Sequence, residues 1–216
     1  MAKIMFDDKY DLTNAVLKGI KTQTRRFEKP LEIIPGDVIR TTGLWDDHKG
    51  LEIETYDMDG TFHRKTFFKP RYSIGEDVAI AQPYRVLGID PERIMYDKSN
   101  GGIMGYFRDQ TGWNNKMYVR DEEMPHWIHI HNVRIERIRS ISDTDIMEEG
   151  VQHLGGYYVV GNIETDNILR VGRGFSRHCR FNTPRSAYKA LIEKMGGPGT
   201  WAKNPYVVVY DFKLIK

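Results

Sequence analysis

Six consecutive residues, Lys21-Thr22-Gln23-Thr24-Arg25-Arg26, gather an ammonium, two hydroxyls, an amide and two guanidiniums. Two chemistries suit such a set. The cations can neutralise a phosphate, with Lys21, Thr22, Arg25 and Arg26 as the contacts. Alternatively, a lysine beside a hydroxyl can help it lose its proton and attack a carbonyl. Residue types alone leave these open beside a third possibility, a solvated basic loop. A second basic cluster holds Arg170, Arg173, Arg177, Arg180 and Arg185. If the fold brought it to the first, Arg173 would join the phosphate contacts. On its own it reads as arginines solvating a loop.

Other candidates are thinner. The single cysteine, Cys179, excludes an internal disulfide and a cysteine-based zinc cluster. Its neighbours Arg177, His178 and Arg180 would favour a thiolate, yet an incidental free thiol is the simpler reading. His126, His129 and His131 invite a metal, since His129 and His131 would share a strand face. No carboxylate stands near them in sequence, so half-buried strand histidines are expected instead. No P-loop, HExxH, Gly-x-Ser-x-Gly or dinucleotide glycine pattern occurs. No metal and no other cofactor is expected.

The elements around these residues follow from periodicity and punctuation. Leu12, Ala15, Val16 and Leu17 predict a short amphipathic helix between Asp8 and Lys18, stopped by Gly19. Lys21 to Arg26 is then a loop or strand start with side chains free to meet a ligand. Pro35-Gly36-Asp37 predicts a turn into a strand at Val38–Thr41, and Asp59-Gly60 a hairpin turn after Leu51–Tyr56. Ser73-Ile74-Gly75-Glu76 turns into a strand at Val78–Ala81. Leu87 to Asn115, rich in Gly, Asn, Asp and Pro, reads as a surface excursion.

Trp127 to Ile138 predicts a long strand. Ile128 and Ile130 hold one phase and Val133 and Ile135 the other, so a bulge is expected near His131-Asn132. Ser142 caps a short helix, with Asp143 and Asp145 at its positive end and Gly150 after it. Val151 to Phe181 reads as irregular. Thr183 and Pro184 open a helix with Ala187, Tyr188, Leu191, Ile192 and Met195 on one face, stopped by Gly196-Gly197-Pro198. Tyr206 to Leu214 is apolar on both faces and predicts a central strand. Strands with interspersed short helices and no βαβ rhythm predict an α+β fold with a small barrel-like sheet.

The 216 residues suit one domain, 1–216. At 40% hydrophobic and 29% charged, the composition is that of a globular chain. No apolar run reaches the roughly 20 residues of a membrane span. MAKIMFDDKYDL carries acids where a signal peptide would be apolar, so a cytoplasmic protein without membrane contact is expected. A formal net charge of +2 does not by itself demand a nucleic-acid partner.

Gly19-Ile20-Lys21-Thr22-Gln23-Thr24-Arg25-Arg26 resembles the opening motif of the ASCH domain family, a branch of the PUA-like barrels. That motif reads Gly, any residue, Lys, Thr, any residue, Thr or Glu, any residue, Arg. Further resemblances follow in order along the chain. They are Gly36-Asp37-Val38, Met124-Pro125-His126-Trp127 of the longer phage-associated members, Ile141-Ser142-Asp143 with Glu148-Glu149-Gly150, and Trp201 with Asn204-Pro205-Tyr206-Val207 running into Phe212. Trp201 and Phe212 are expected to serve the core.

The resemblance implies a PUA-like small β-barrel with short flanking helices. Long loop insertions would lie near 43–70, 88–115 and 152–180. It implies a module binding RNA, single-stranded nucleic acid or a modified nucleotide in a basic cleft, with Tyr84 or Trp127 stacking a base. Second to that, it implies an alternative, the amidohydrolase of compact bacterial members that act on N4-acetylcytidine. Carried over residue by residue, Lys21 would hold or deprotonate Thr24, Thr24 would attack the amide, and Glu149 would pass a proton to the leaving amine. A third alternative is a non-enzymatic phage accessory protein. Gln82 stands where many long members carry a glutamate, which removes one candidate acid.

Overall fold

The computed structural model describes residues 2–28, 38–89, 111–161, 164–171, 174–178 and 180–216. Twelve strands are described: β1 (Lys3–Ile4), β2 (Gln23–Arg26), β3 (Val38–Asp46), β4 (Gly50–Tyr56), β5 (Phe62–Phe68), β6 (Asp77–Ile80), β7 (Trp127–Arg137), β8 (Val151–Leu154), β9 (Tyr157–Val160), β10 (Glu164–Val171), β11 (Gly174–His178) and β12 (Tyr206–Leu214). The helices are α1 (Leu12–Leu17), α2 (Tyr84–Leu87), α3 (Asp143–Glu148), α4 (Pro184–Gly196) and α5 (Thr200–Lys203). This is the α+β architecture read from the sequence.

The main sheet runs β1-β6-β7-β12-β2, parallel between β1 and β6 and antiparallel elsewhere. Its centre is β7 and β12, whose apolar residues sit on both faces. Ile128, Ile130, Val207, Val208, Val209, Tyr210 and Phe212 are all buried. Along β7 the partners of Asp211 and Phe212 are Asn132 and Ile130, so His131 is the extra residue of a bulge. That shift returns Val133 and Ile135 to the core, as their phase required.

The expected closed barrel is not what the described residues form. The sheet is open between β1 and β2, because β1 is two residues long and offers almost no ladder. Side chains span that gap instead. Arg26 Nη2 donates to the Met5 carbonyl at 2.6 Å, and the Phe6 and Phe212 rings lie 5.7 Å apart.

Two of the three segments expected as loop insertions, near 43–70 and 152–180, hold strands among the described residues. Residues 43–70 belong to the antiparallel meander β3-β4-β5, which buries Leu51 and Ile53. Between 152 and 180 lie two hairpins, β8-β9 and β10-β11, where an irregular stretch was expected. Tyr157 to Val160 is apolar enough to pair, and the turn Gly155-Gly156 has positive φ at both residues. Residues 90–110 of the expected excursion, and the Pro35-Gly36-Asp37 turn, lie outside the described residues. No described helix is long and apolar enough to cross a membrane.

Three short elements bring the basic segment to its neighbours. Gly19, at φ +68°, ends α1 and turns the chain into β2. The Thr22 amide donates to the Glu148 carbonyl at 2.9 Å, which ties β2 to the end of α3. Ser142 caps α3 by accepting from the Asp145 amide at 3.0 Å. Gly150 then leaves α3 at φ +102°, with Lys21 packed against it.

Candidate active site

Strand β2 is an edge strand in the ladder, yet its side chains are not free as the sequence suggested. Lys21, Gln23, Thr24 and Arg25 are all buried: Asp145 of α3 meets Gln23 and Arg25, and Leu191 and Ile192 of α4 line the same cleft. Lys21 is 2% exposed. Its ammonium donates to the Gln23 carbonyl at 2.7 Å, the Glu149 carbonyl at 3.0 Å and Glu149 Oε2 at 2.5 Å. Three acceptors thus meet its three N–H bonds. Burial lowers the Lys21 pKa, Glu149 opposes that shift, and Arg26 and Arg25 add to it.

Glu149 divides its two oxygens. Oε2 takes Lys21, and Oε1 accepts from Arg25 Nη1 at 3.1 Å. Arg25 is itself enclosed by acceptors. Nε donates to Glu136 Oε1 at 3.0 Å, Nη2 to Glu136 and to Asp145 Oδ2 at 3.2 Å, and Nη1 also to Gln23 Oε1. Burial works against the charge on Arg25, but the carboxylates led by Glu149 outweigh it and raise its pKa. Arg25 is therefore committed inside the protein, with no donor left over for a phosphate.

These residues form one wall of a cleft of about 570 Å³. Lys21, Thr24, Arg25, Arg26 and Glu149 all line it. Leu12, Leu191 and Ile192 make an apolar side, with Met195 and Phe27 half exposed at the mouth. The cleft's charged residues are five cations (Lys9, Lys21, Arg25, Arg26, Lys116) and three acids (Asp7, Asp8, Glu149). Lys116 is paired with Asp8 Oδ1 at 2.8 Å. Arg26 rests on the Phe6 ring and the Met5 carbonyl, and its Nε has no hydrogen-bond partner among the described residues. Burial lowers its pKa.

Thr22 is not brought to this cleft. It lines a second depression with Gln23, His131, Arg134, Asp145 and Glu148. There Gln23 Nε2 faces Asp145 Oδ1 at 3.3 Å, Glu148 Oε2 at 3.2 Å and Asp211 Oδ1 at 2.6 Å. Burial together with Asp145 and Asp211 raises the Glu148 pKa. Arg173 and Cys179 lie outside the described residues.

The stacking candidates are tied up as well. Tyr84 is buried, with its hydroxyl accepting from the Arg120 amide at 2.8 Å, and Trp127 Nε1 donates to the Met124 carbonyl at 2.9 Å. His129 Nδ1 lies 2.6 Å from Asp77 Oδ1, and His126 Nδ1 lies 2.6 Å from Gln82 Oε1. Asp77 is the carboxylate that sequence spacing hid, since it arrives from the neighbouring strand β6. Trp201 and Phe212 pack in the core, as expected of them.

Glu136, Lys116 and the α4 wall were missed in the sequence. For Glu136 a signal existed. An arginine turned inward from a strand needs a carboxylate on the element it faces, and Glu136 lies on β7, two strands away in the sheet order. Compared with protein-family models, with curated proteins and with solved structures, the chain matches none.

Proposed function

We propose that this chain is an ASCH-type amidohydrolase that cleaves the acyl amide of N4-acylated cytidine-type nucleosides. The observation that carries it is the 2.5 Å contact between Lys21 and Glu149, 128 residues apart, on a cleft that Thr24 also lines. A buried, desolvated lysine beside a carboxylate is an acid–base pair rather than a surface phosphate contact.

In the proposed cycle the Lys21 ammonium first passes a proton to Glu149 Oε2, which leaves a neutral amine. That amine takes the Thr24 hydroxyl proton as Thr24 Oγ1 bonds to the amide carbon. Arg26, on the same cleft, offers positive charge to the developing oxyanion. Glu149 returns its proton to the leaving N4 nitrogen, the C–N bond breaks, and an acyl ester remains on Thr24. Glu149 then takes a proton from water, whose oxygen attacks the ester. Lys21 reprotonates Thr24, the carboxylic acid leaves, and the pair resets.

A polynucleotide-binding module is the second reading. It draws on exposed Lys9 and on the unpartnered Arg26 Nε. It loses Arg25 as a phosphate contact, because that charge is neutralised within the protein.

The deciding assay incubates the protein with N4-acetylcytidine, N4-acetylcytosine and N4-benzoylcytidine and follows the freed base by chromatography. Turnover is expected for the wild type. Thr24→Ala should lower it by roughly 10²–10⁴-fold, and Thr24→Ser should retain part of it. A folded wild-type protein inert toward the whole panel overturns the reading.

A further inference from the structure

The resemblance that motivates the hydrolase reading accounts for Lys21, Thr24, Glu149 and Arg26. It does not account for Arg25, which occupies a position of the motif where any residue is accepted. Yet Arg25 makes more polar contacts than any of those four. It reaches Glu149 on one side, Glu136 of β7 and Asp145 of α3 on the other, and Gln23 on its own strand.

We propose that Arg25 is a positioning residue that fixes Glu149 Oε1, and so presents Oε2 to Lys21, with Glu136 and Asp145 holding Arg25 in turn. This rests on the hydrolase reading above. A carboxylate on a helix end has two side-chain torsions that would swing it away from Lys21. The 3.1 Å bond from Nη1 removes that freedom, and the planar guanidinium transmits the geometry of β7 and α3 to it. The Glu149 side chain is 5% exposed, so the Arg25 contact is made in a buried setting.

Charge gives the arrangement a second role. In the proposed cycle one proton passes between Lys21 and Glu149, so the charges around the pair bear on which step it can take. A second proton removes the base, and loss of the first removes the acid, so activity against pH is a bell. The groups that face the pair are Arg25 and Arg26 on β2 and Tyr188 on α4, with Glu136 of β7 and Asp145 of α3 reaching it through Arg25. Tyr188 is fully buried, so its hydroxyl stays protonated across the working range. Removing the Arg25 charge makes every proton on the pair easier to keep. Removing the Glu136 charge leaves Arg25 less neutralised and does the reverse.

The test is the pH profile of kcat/KM for Arg25→Met, Arg25→Lys and Glu136→Gln on whichever N4-acyl substrate the wild type turns over. Arg25→Met should move both limbs of the bell up by about one pH unit, and Glu136→Gln should move both down by a smaller amount. Arg25→Lys keeps the charge and loses the fork. It should leave the limbs in place and lower kcat by roughly 10²-fold, the cost of a slightly misplaced group. Far-ultraviolet circular dichroism and thermal melts confirm that each variant is folded. If Arg25→Met does not fold, the opposite pair of signatures in Glu136→Gln and Arg25→Lys still decides the matter.

Limbs that stay fixed in Arg25→Met and Glu136→Gln, or that move in the same direction in both, overturn the proposal while the hydrolase reading survives. A wild-type protein inert on every substrate overturns the hydrolase reading and this inference with it.

Discussion

Lys21→Met and Glu149→Gln, alone and together, measure whether the buried charges act as a pair. In Lys21→Met the Glu149 carboxylate loses its 2.5 Å ammonium contact and keeps Arg25 Nη1 at 3.1 Å. Breaking a buried pair from one side costs about 3–5 kcal/mol, and the surviving Arg25 contact places this variant near the lower end, about 3 kcal/mol. In Glu149→Gln the ammonium keeps two carbonyl acceptors, at 2.7 and 3.0 Å, and loses its only carboxylate. That loss is again about 3 kcal/mol. Independent effects would sum to about 6 kcal/mol in the double variant. A true pair leaves neither charge stranded when both are gone, so the double variant should lose only about 3 kcal/mol, a coupling of about 3 kcal/mol. Urea denaturation at pH 7, extrapolated to water, reads all four corners of the cycle. Additivity to within about 0.5 kcal/mol would refute the pair, and the proton transfer proposed for it would have no basis.

Stability against pH provides a separate check on Lys21. Its folded pKa lies below the unfolded value of about 10.4, so between those values the unfolded chain binds more protons and stability rises with pH. The wild-type minus Lys21→Met stability difference should therefore climb through that window, and a flat difference would contradict the burial of the ammonium. Gly150→Ala places a Cβ at ordinary distance, 3.5 Å, from the Lys21 Cβ, but at a backbone φ of +102°. Backbone strain of about 1–3 kcal/mol should lower the melting temperature, and an unchanged melt would show that the turn after α3 relaxes freely. For short single-stranded RNA, the dependence of affinity on salt should be the same in Arg25→Met as in the wild type, because that guanidinium is already neutralised. A steep dependence that flattens when Arg25 is lost would favour the phosphate-binding reading over the hydrolase.

What the sequence made legible was set by local rules. The β7 bulge could be read because two pairs of isoleucine and valine positions fell in opposite phases, and only one inserted residue reconciles them. The α3 cap, the α4 cap and the central place of β12 followed from capping chemistry and from apolar residues on both faces. What stayed hidden was non-local. Lys21 looked free because its carboxylate partner, Glu149 at the end of α3, lies more than a hundred residues on. Residues 152–160 looked irregular because Gly155 and Gly156 were read as loop composition, whereas they are the turn of a hairpin. Among the described residues the main sheet stays open beside β1, whose two residues offer little ladder.

The same non-locality is what the proposed choice between the two chemistries of the basic segment rests on. Count only the segment and it carries Lys21, Arg25 and Arg26, an ordinary phosphate grip. Add what folding brings to it, and Glu149, Glu136 and Asp145 take up Lys21 and Arg25 at hydrogen-bond distance. A phosphate arriving there would have to displace carboxylates already paired with buried cations, where each exchange strands a buried charge. A neutral amide faces no such exchange. It needs a nucleophile, a base and an acid whose protons balance, and Thr24, Lys21 and Glu149 offer one of each on a cleft with an apolar side for an uncharged substrate. In the proposed reaction the excess of cations over acids along that cleft would meet the oxyanion through Arg26.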